Sequence, residues 1–154
     1  MAFRIFGTGS SAPAPWSLVL LVVYSVCASS GCARVRGVSR CRTLAETVNQ
    51  TLDAVEAATS VPKPGAEAYR TASTHYAALA KELEGFDPER AELKEPLTEL
   101  TDVIRGAKEQ SGILSDAIAS GNKGSRQVSE RELDRLSRRQ KAVVQRIDKA
   151  CRGH

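Results

Sequence analysis

Apolar residues recur at helical spacing in four blocks of this 154-residue chain, and this pattern restricts the fold more than any other feature of the sequence. Within each block they follow one another at steps of three and four, which places them on one face of an α-helix. Pro and Gly residues separate the blocks at 61–65, 85–88 and 121–124. From Thr43 onward no run alternates apolar and polar residues as a half-buried strand does. The sequence therefore predicts an all-α domain.

The spacing predicts helices over 43–60, 65–84, 96–119 and 125–151. Thr43, followed by Glu46 three residues later, has the spacing of a capping box at a helix start. Because Pro96 would disrupt a helix interior, we expect a separate short helical turn over 88–94. Short connections favour antiparallel neighbours, so the expected architecture is an up-down-up-down four-helix bundle.

Polar residues interrupt two of the apolar stripes. Ser111 lies on the stripe of the third helix, and Gln140 lies on that of the fourth. We expect the two to share a buried polar contact that fixes how these helices pair, since a buried polar group needs a partner.

Gly106 and Gly112 lie inside the third helix, where glycine costs about 1 kcal/mol relative to alanine, and they indicate close backbone approach or flexibility.

The segment before the first block has the layout of an export signal. Arg4 and the α-amine give a weakly positive start, and residues 16–28 are nearly all apolar and lead into small residues. This apolar run is thirteen residues long, whereas a helix that spans a membrane needs roughly 20. We expect residues 1–31 to be a cleaved signal peptide and not a retained transmembrane anchor.

The end of this segment, Ser29-Ser30-Gly31-Cys32, resembles the lipobox of bacterial lipoproteins, in which small residues precede an acylated cysteine that becomes the mature N-terminus. The resemblance covers only the first 32 residues, and Ser29 stands where that family usually has an aliphatic residue. It implies that Cys32 carries acyl chains such as palmitate and anchors the protein to a membrane of the bacterial cell envelope, facing the periplasm or the exterior. The alternative is an ordinary secretory cleavage after Ser30, which leaves Cys32 as a free thiol.

The cysteine count agrees with export. Cys27 would leave with the signal peptide and Cys32 would carry the lipid, so Cys41 and Cys151 remain for one disulfide in an oxidising compartment. In the predicted topology these two cysteines lie at the same end of the bundle. The alternative is that they are two unrelated thiols. The expected domain organisation is a signal peptide over 1–31, a basic tether over 32–42 and the bundle over 43–152.

Basic residues are concentrated in two places. The predicted tether contains the first group, which we expect to contact anionic lipid headgroups: Arg34, Arg36, Arg40 and Arg42. The second group is the segment 123–152, which has ten bases and four acids. On it, the face formed by Arg131, Arg135 and Arg138 is a candidate site for an anionic partner, such as an envelope protein or an anionic polymer.

Pairing with the protein's own acidic residues is the alternative to an anionic partner for these bases. The segment 82–102 has eight acids and two bases. Antiparallel packing would set three bases of the last helix, Arg146, Lys149 and Arg152, beside three acids of this segment, Glu92, Glu95 and Glu99. The basic and acidic segments would then pair with each other.

The net charge without residues 1–31 is +3, because Arg4 is the only charged side chain among those residues. This net charge is too small to indicate a nucleic-acid partner.

No pattern typical of catalysis, metal binding or cofactor binding occurs in the chain. Neither His75 nor His154 follows a Glu at the spacing of carboxylate metal bundles, the sequence has no Gly-x-Ser-x-Gly motif, and Met1 is the only methionine. We therefore expect no catalytic, metal or cofactor site.

The predicted function is a membrane-tethered, non-enzymatic binding or scaffolding module. The alternatives are a secreted, unlipidated helical inhibitor or effector and a carrier of a small apolar ligand.

Overall fold

The computed structural model of the chain describes residues 31–88 and 90–152, with side chains from residue 40 onward. Four helices make up this part: α1 (Gly31–Thr59), α2 (Ala66–Glu84), α3 (Ala91–Ser120) and α4 (Lys123–Arg152). No strand occurs among the described residues. Consecutive helices pack against each other, α1 on α2, α2 on α3 and α3 on α4. The predicted all-α four-helix bundle is confirmed.

The first helix begins earlier than the sequence pattern predicts. Its backbone is helical from Gly31, so the residues of the predicted basic tether belong to α1, and Thr43 lies inside the helix. The cause is visible in the sequence, where Val38, Cys41 and Leu44 continue the apolar spacing and no proline intervenes. The side chains of residues 31–39 lie outside the described part.

The third helix also begins earlier, at Ala91, and the predicted separate turn over 88–94 is wrong. Pro96 lies in the second turn of α3, where its missing N–H removes one helical hydrogen bond. The loss is offset by packing, since Pro96 and Leu93 are both buried.

The turn between α3 and α4 is shorter than the predicted four residues. Gly121 has φ of 70°, in the left-handed region that favours glycine, and the N–H of Asn122 donates to the carbonyl of Ala117 at 2.9 Å. The Asn122 side chain then accepts a hydrogen bond from the N–H of Ser125 at 3.0 Å, as an N-cap residue does. Two residues therefore end one helix and start the next.

The hydrophobic core is densest in the half of the bundle that contains Cys41 and Cys151. Leu100 and Ile104 of α3 are fully buried there, and side chains from the other three helices surround them. These include Val48, Leu79 and Val143, each 1% exposed. Full burial of one such side chain stabilises a fold by about 1.5–3 kcal/mol. The aliphatic stripes predicted from the sequence form this core.

The two glycines inside α3 have different surroundings. A Cβ added at Gly106 would lie 3.2 Å from a methyl carbon of Leu136 in α4, whereas one added at Gly112 would meet only the Ser73 hydroxyl at 3.8 Å. The prediction of close approach therefore holds at Gly106, where the backbone of α3 lies directly against the Leu136 side chain. At Gly112 there is room for a methyl group.

Candidate binding groove

A groove of about 320 Å³ opens between α1 and α4 in the half of the bundle away from Cys41 and Cys151. All four helices contribute to it. Its apolar walls include Leu52 and Val55 of α1 on one side and Leu133 and Leu136 of α4 on the other. It reaches the bundle axis, because Ala107 of α3, the helix diagonally opposite α1, forms part of its floor.

The groove exists because the seam between α1 and α4 is packed in one half only. Near the disulfide, Leu44 and Val48 of α1 pack with Val144 and Ile147 of α4, and the remaining cavity there is only about 10 Å³. That volume is at most enough for one water molecule. Further along, the α4 side of the seam combines Leu133 and Leu136 with polar side chains, and α1 has little contact with α4 there.

Polar groups line the groove beside its apolar walls. The side chains of Ser137, Gln140 and Lys141 lie on the α4 rim, and Glu56 lies on the α1 rim. Ser111 lies deeper and is 1% exposed. Four of these five side chains can donate a hydrogen bond, and Glu56 is the one carboxylate among the groove residues. These four donors lie on α3 and α4, and the hydroxyl-bearing residues Thr59, Tyr69 and Tyr76 of α1 and α2 also line the groove.

Two hydroxyl groups in the groove have no protein partner. Among the described residues, neither the Ser111 nor the Tyr76 hydroxyl makes a hydrogen bond to another part of the chain. Every described side-chain nitrogen or oxygen that is fully closed off from solvent does have a partner. These two hydroxyls are therefore not completely closed off from solvent, and because both residues line the groove, they can donate to a water molecule or a ligand in it.

Burial raises the pKa of the Tyr76 hydroxyl above its ordinary value of 10.0, because the low-polarity surroundings disfavour the phenolate. Burial also raises the pKa of Tyr69, which lines the same groove, and the nearby Glu130 carboxylate adds to the effect while Arg126 opposes it. Both tyrosines are therefore neutral hydrogen-bond donors at physiological pH.

The expected contact between Ser111 and Gln140 does not form. Both residues line the groove, but no hydrogen bond joins them in the described part of the chain.

The disulfide predicted from the cysteine count is present. Cys41 of α1 and Cys151 of α4 are bonded, with their Cα atoms 5.9 Å apart, and Cys41 is 5% exposed. The bond joins helices that are 110 residues apart in sequence and otherwise contact each other little. It holds α1 and α4 together at one end while the groove opens at the other.

The arginine face proposed for an anionic partner is exposed on α4, but its charges are partly paired. The Arg135 guanidinium donates to Glu132 at 2.9 Å, and Arg138 pairs with Asp134. Arg131 donates to the carbonyl of Gln127 at 3.3 Å. The Arg135 hydrogen bond holds the pKa of the Glu132 carboxyl below its ordinary range. An anionic partner would have to compete with these contacts within the helix, and that partner stays a prediction.

The pairing expected between α3 and α4 occurs at Arg146, whereas Arg152 pairs with Asp148 on its own helix at 2.9 Å. Glu99 on α3 accepts hydrogen bonds from Arg139, at 2.8 Å, and from Arg146, and Arg146 also lies 3.6 Å from Glu95. The sequence pattern identified the pairing of Arg146 but missed that of Arg139. Arg139 lies seven residues before Arg146, on the same face of α4, and this spacing could have indicated that Arg139 also pairs with Glu99.

The predicted headgroup contacts fall at the edge of the described part. The side chains of Cys32, Arg34 and Arg36 lie outside it. Arg40 donates to the carbonyl of Asp87 at 2.8 Å, and Arg42 pairs with Glu46 at 2.8 Å on its own helix. Arg40 thus joins α1 to the connection between α2 and α3 at the disulfide end of the bundle.

A second recess, of about 410 Å³, lies on the surface between α2, α3 and their connection. Phe86 and Leu97 form part of its apolar lining, and Arg105 at its edge pairs with Glu84 at 2.8 Å. Only two helices and one connection form this recess, and an ion pair of the protein occupies its edge. The groove between α1 and α4 is the deeper site.

Among residues 31–88 and 90–152, no cluster of three or more His, Cys, Asp or Glu side chains is arranged to hold a metal ion. In the same residues, no helix has the length and apolar character that a membrane span requires. The predicted signal peptide, residues 1–31, lies almost entirely outside the described part.

Comparisons with known proteins give no relative: no family model, no curated protein and no solved structure matches the chain.

Proposed function

We propose that this protein is an exported binding module, tethered to a membrane of the bacterial cell envelope through acyl chains on Cys32. The observation that carries the proposal is the disulfide between Cys41 and Cys151. Structural disulfides are typical of exported proteins and rare in the cytosol. Export agrees with the signal-like pattern of residues 1–31, whose end leads directly into Cys32.

The continuous first helix gives the tether a defined form. Cys32 precedes Cys41 by nine residues of helical backbone, about 13 Å along the helix axis. An anchor at Cys32 would therefore direct the disulfide end of the bundle toward the membrane. The groove residue Leu52 lies about 30 Å from Cys32 along the same helix, on the side away from the membrane.

The module is proposed to act by binding and not by catalysis. The groove supplies an apolar surface with a few hydrogen-bond donors, which is the general character of ligand sites. The candidate partners are the membrane, an envelope protein or an anionic polymer, and a ligand of the groove itself.

Membrane association of the full-length gene product, expressed in a bacterial host that acylates lipoproteins, tests the tether. The wild-type protein is expected in the detergent phase after phase partitioning, and Cys32→Ser is expected to move it to the aqueous phase. Cys27→Ser is the matched control, since that cysteine belongs to the cleaved signal peptide, and it should partition like the wild type. Aqueous partitioning of the wild type would contradict the tether and favour the secreted, unlipidated alternative.

A further inference from the structure

We propose that the groove between α1 and α4 binds a long-chain carboxylate, with its alkyl chain between the four helices and its carboxylate at Lys141 and Gln140. This inference rests on the proposed role as a binding module, but it does not depend on acylation of Cys32. It assigns a ligand class to the groove.

The size and depth of the groove favour a slender chain over a protein segment. Its volume of about 320 Å³ is at the small end of the range of about 300–1,000 Å³ for ligand pockets. An α-helix with its side chains is about 10–12 Å wide, so a partner helix could not enter as far as Ala107 on the bundle axis. An alkyl chain is much narrower than a helix, so it suits a groove of this volume better.

The polar groups of the groove indicate the chemistry of the ligand head. The α4 rim carries Lys141 and Gln140, which both donate hydrogen bonds, and Lys141 adds a positive charge. A carboxylate only accepts hydrogen bonds and carries the opposite charge, so it complements these two donors on the rim.

The charge of the wider surface supports the same orientation. The helix that carries Lys141 has ten bases and four acids, whereas the α1 rim contributes the Glu56 carboxylate. An anionic head is therefore attracted to the α4 rim.

The acyl chains proposed for Cys32 cannot fill the groove of the same molecule. The groove residue Leu52 lies about 30 Å along α1 from Cys32. One acyl chain spans about half of the roughly 30 Å hydrocarbon core of a bilayer. The groove ligand must therefore be a separate molecule.

Photo-crosslinking tests this proposal on the mature wild-type protein in lipid nanodiscs, with dodecanoic acid that carries a diazirine on its chain. The expected result is saturable labelling that peptide mapping places on residues lining the groove. Ser137 is exposed on the rim, so Ser137→Trp puts an indole in the mouth of the groove. We expect this variant to reduce the labelling by about tenfold or more, which corresponds to a loss of about 1.4 kcal/mol in binding free energy. Gln145→Trp, at an exposed α4 position outside the groove lining, is the matched control and should not reduce it.

A second pair of variants tests the position of the head. Lys141→Gln is expected to weaken labelling by the acid about two- to fivefold, as for one partly exposed ion pair, and to leave labelling by the diazirine methyl ester unchanged. Lys149→Gln, an exposed lysine on the same helix, is the matched control. Helical circular dichroism and an intact disulfide confirm that each variant is folded.

Three results would overturn the proposed site. The labelling would be spread over the surface, would not saturate, or would be unchanged in Ser137→Trp. Equal labelling by acid and ester in the wild type would overturn the carboxylate assignment. Failure of the tether would be recognised separately, because an unlipidated protein would still show saturable labelling of the groove.

Discussion

Removal of the Cys41–Cys151 disulfide is expected to cost this bundle a large part of its stability. The perturbation is the double variant Cys41→Ser/Cys151→Ser, which leaves two small polar side chains in place of the bond. The two cysteines are 110 residues apart. In the chain-entropy treatment, a cross-link over a loop of that length stabilises the folded state by about 4.8 kcal/mol. Small domains have a total stability of about 5–15 kcal/mol, so the loss is severe.

The same figure predicts the thermal shift. An unfolding entropy of about 2.1 cal/mol/K per residue gives about 0.23 kcal/mol/K for a bundle of about 110 residues. A loss of 4.8 kcal/mol then lowers Tm by roughly 20 °C. The effect should concentrate on α1, because that helix packs on α2 but has little contact with α4 apart from the disulfide end. Its amides are expected to exchange faster with solvent than those of α3 in the double variant.

Urea unfolding followed by circular dichroism measures the change in free energy, and hydrogen exchange measures its location. Reductant should lower the stability of the wild type toward that of the double variant and should have no effect on the variant itself. A difference below about 1 kcal/mol would refute the reasoning. It would show that side-chain packing alone, with Leu44 and Val48 against Ile147, holds α1 in place.

Three further predictions follow from single positions. Leu100→Ala, at a fully buried core position, should lower the free energy of unfolding by about 2–5 kcal/mol in a urea titration. Gly112→Ala has room for its methyl group and should stabilise the fold by about 0.5–1 kcal/mol. Gly106→Ala should stabilise the fold less, because Leu136 must move to admit the methyl group, and a larger stabilisation at Gly106 than at Gly112 would contradict the close approach. Since burial raises the pKa of Tyr76 above 10.0, the folded state keeps a proton that the unfolded state releases, so stability should fall as the pH rises above about 10. In Tyr76→Phe this alkaline loss should be smaller, as measured by urea unfolding at a series of pH values, and an unchanged loss would show that Tyr76 does not cause it.

The bundle could be predicted from the sequence because its signals are local and repeated. The aliphatic spacing around Leu100 and Ile104, and the Pro and Gly breaks between blocks, each depend on neighbouring residues only. Cys41 and Cys151 could be paired because the predicted topology places them at the same end of the bundle. The starts of α1 and α3 could not be predicted as well. At α3 the burial of Pro96 and Leu93 outweighs the local cost of proline, and burial depends on the other helices.

The groove could not be predicted, because it depends on how far two helices separate. The stripes of Leu52 and Leu136 both indicate core positions, and nothing in their spacing shows that the residues between them leave a gap. The polar residues Ser111 and Gln140 were the available signal. The sequence pattern placed Ser111 on a buried face correctly, whereas Gln140 is only partly buried on the rim of the groove, and their expected contact assumed that the seam was closed.

The central claim is that export removes the leader, places acyl chains on Cys32 and leaves one disulfide in the bundle. Intact-mass spectrometry of the native protein from a cell envelope, with and without reductant, tests it most directly. We expect a chain that begins at Cys32, carries the added mass of acyl chains, and gains two hydrogen atoms on reduction as Cys41 and Cys151 separate. A chain that begins at Met1, or an unmodified Cys32 in a protein with no mass change on reduction, would contradict the account.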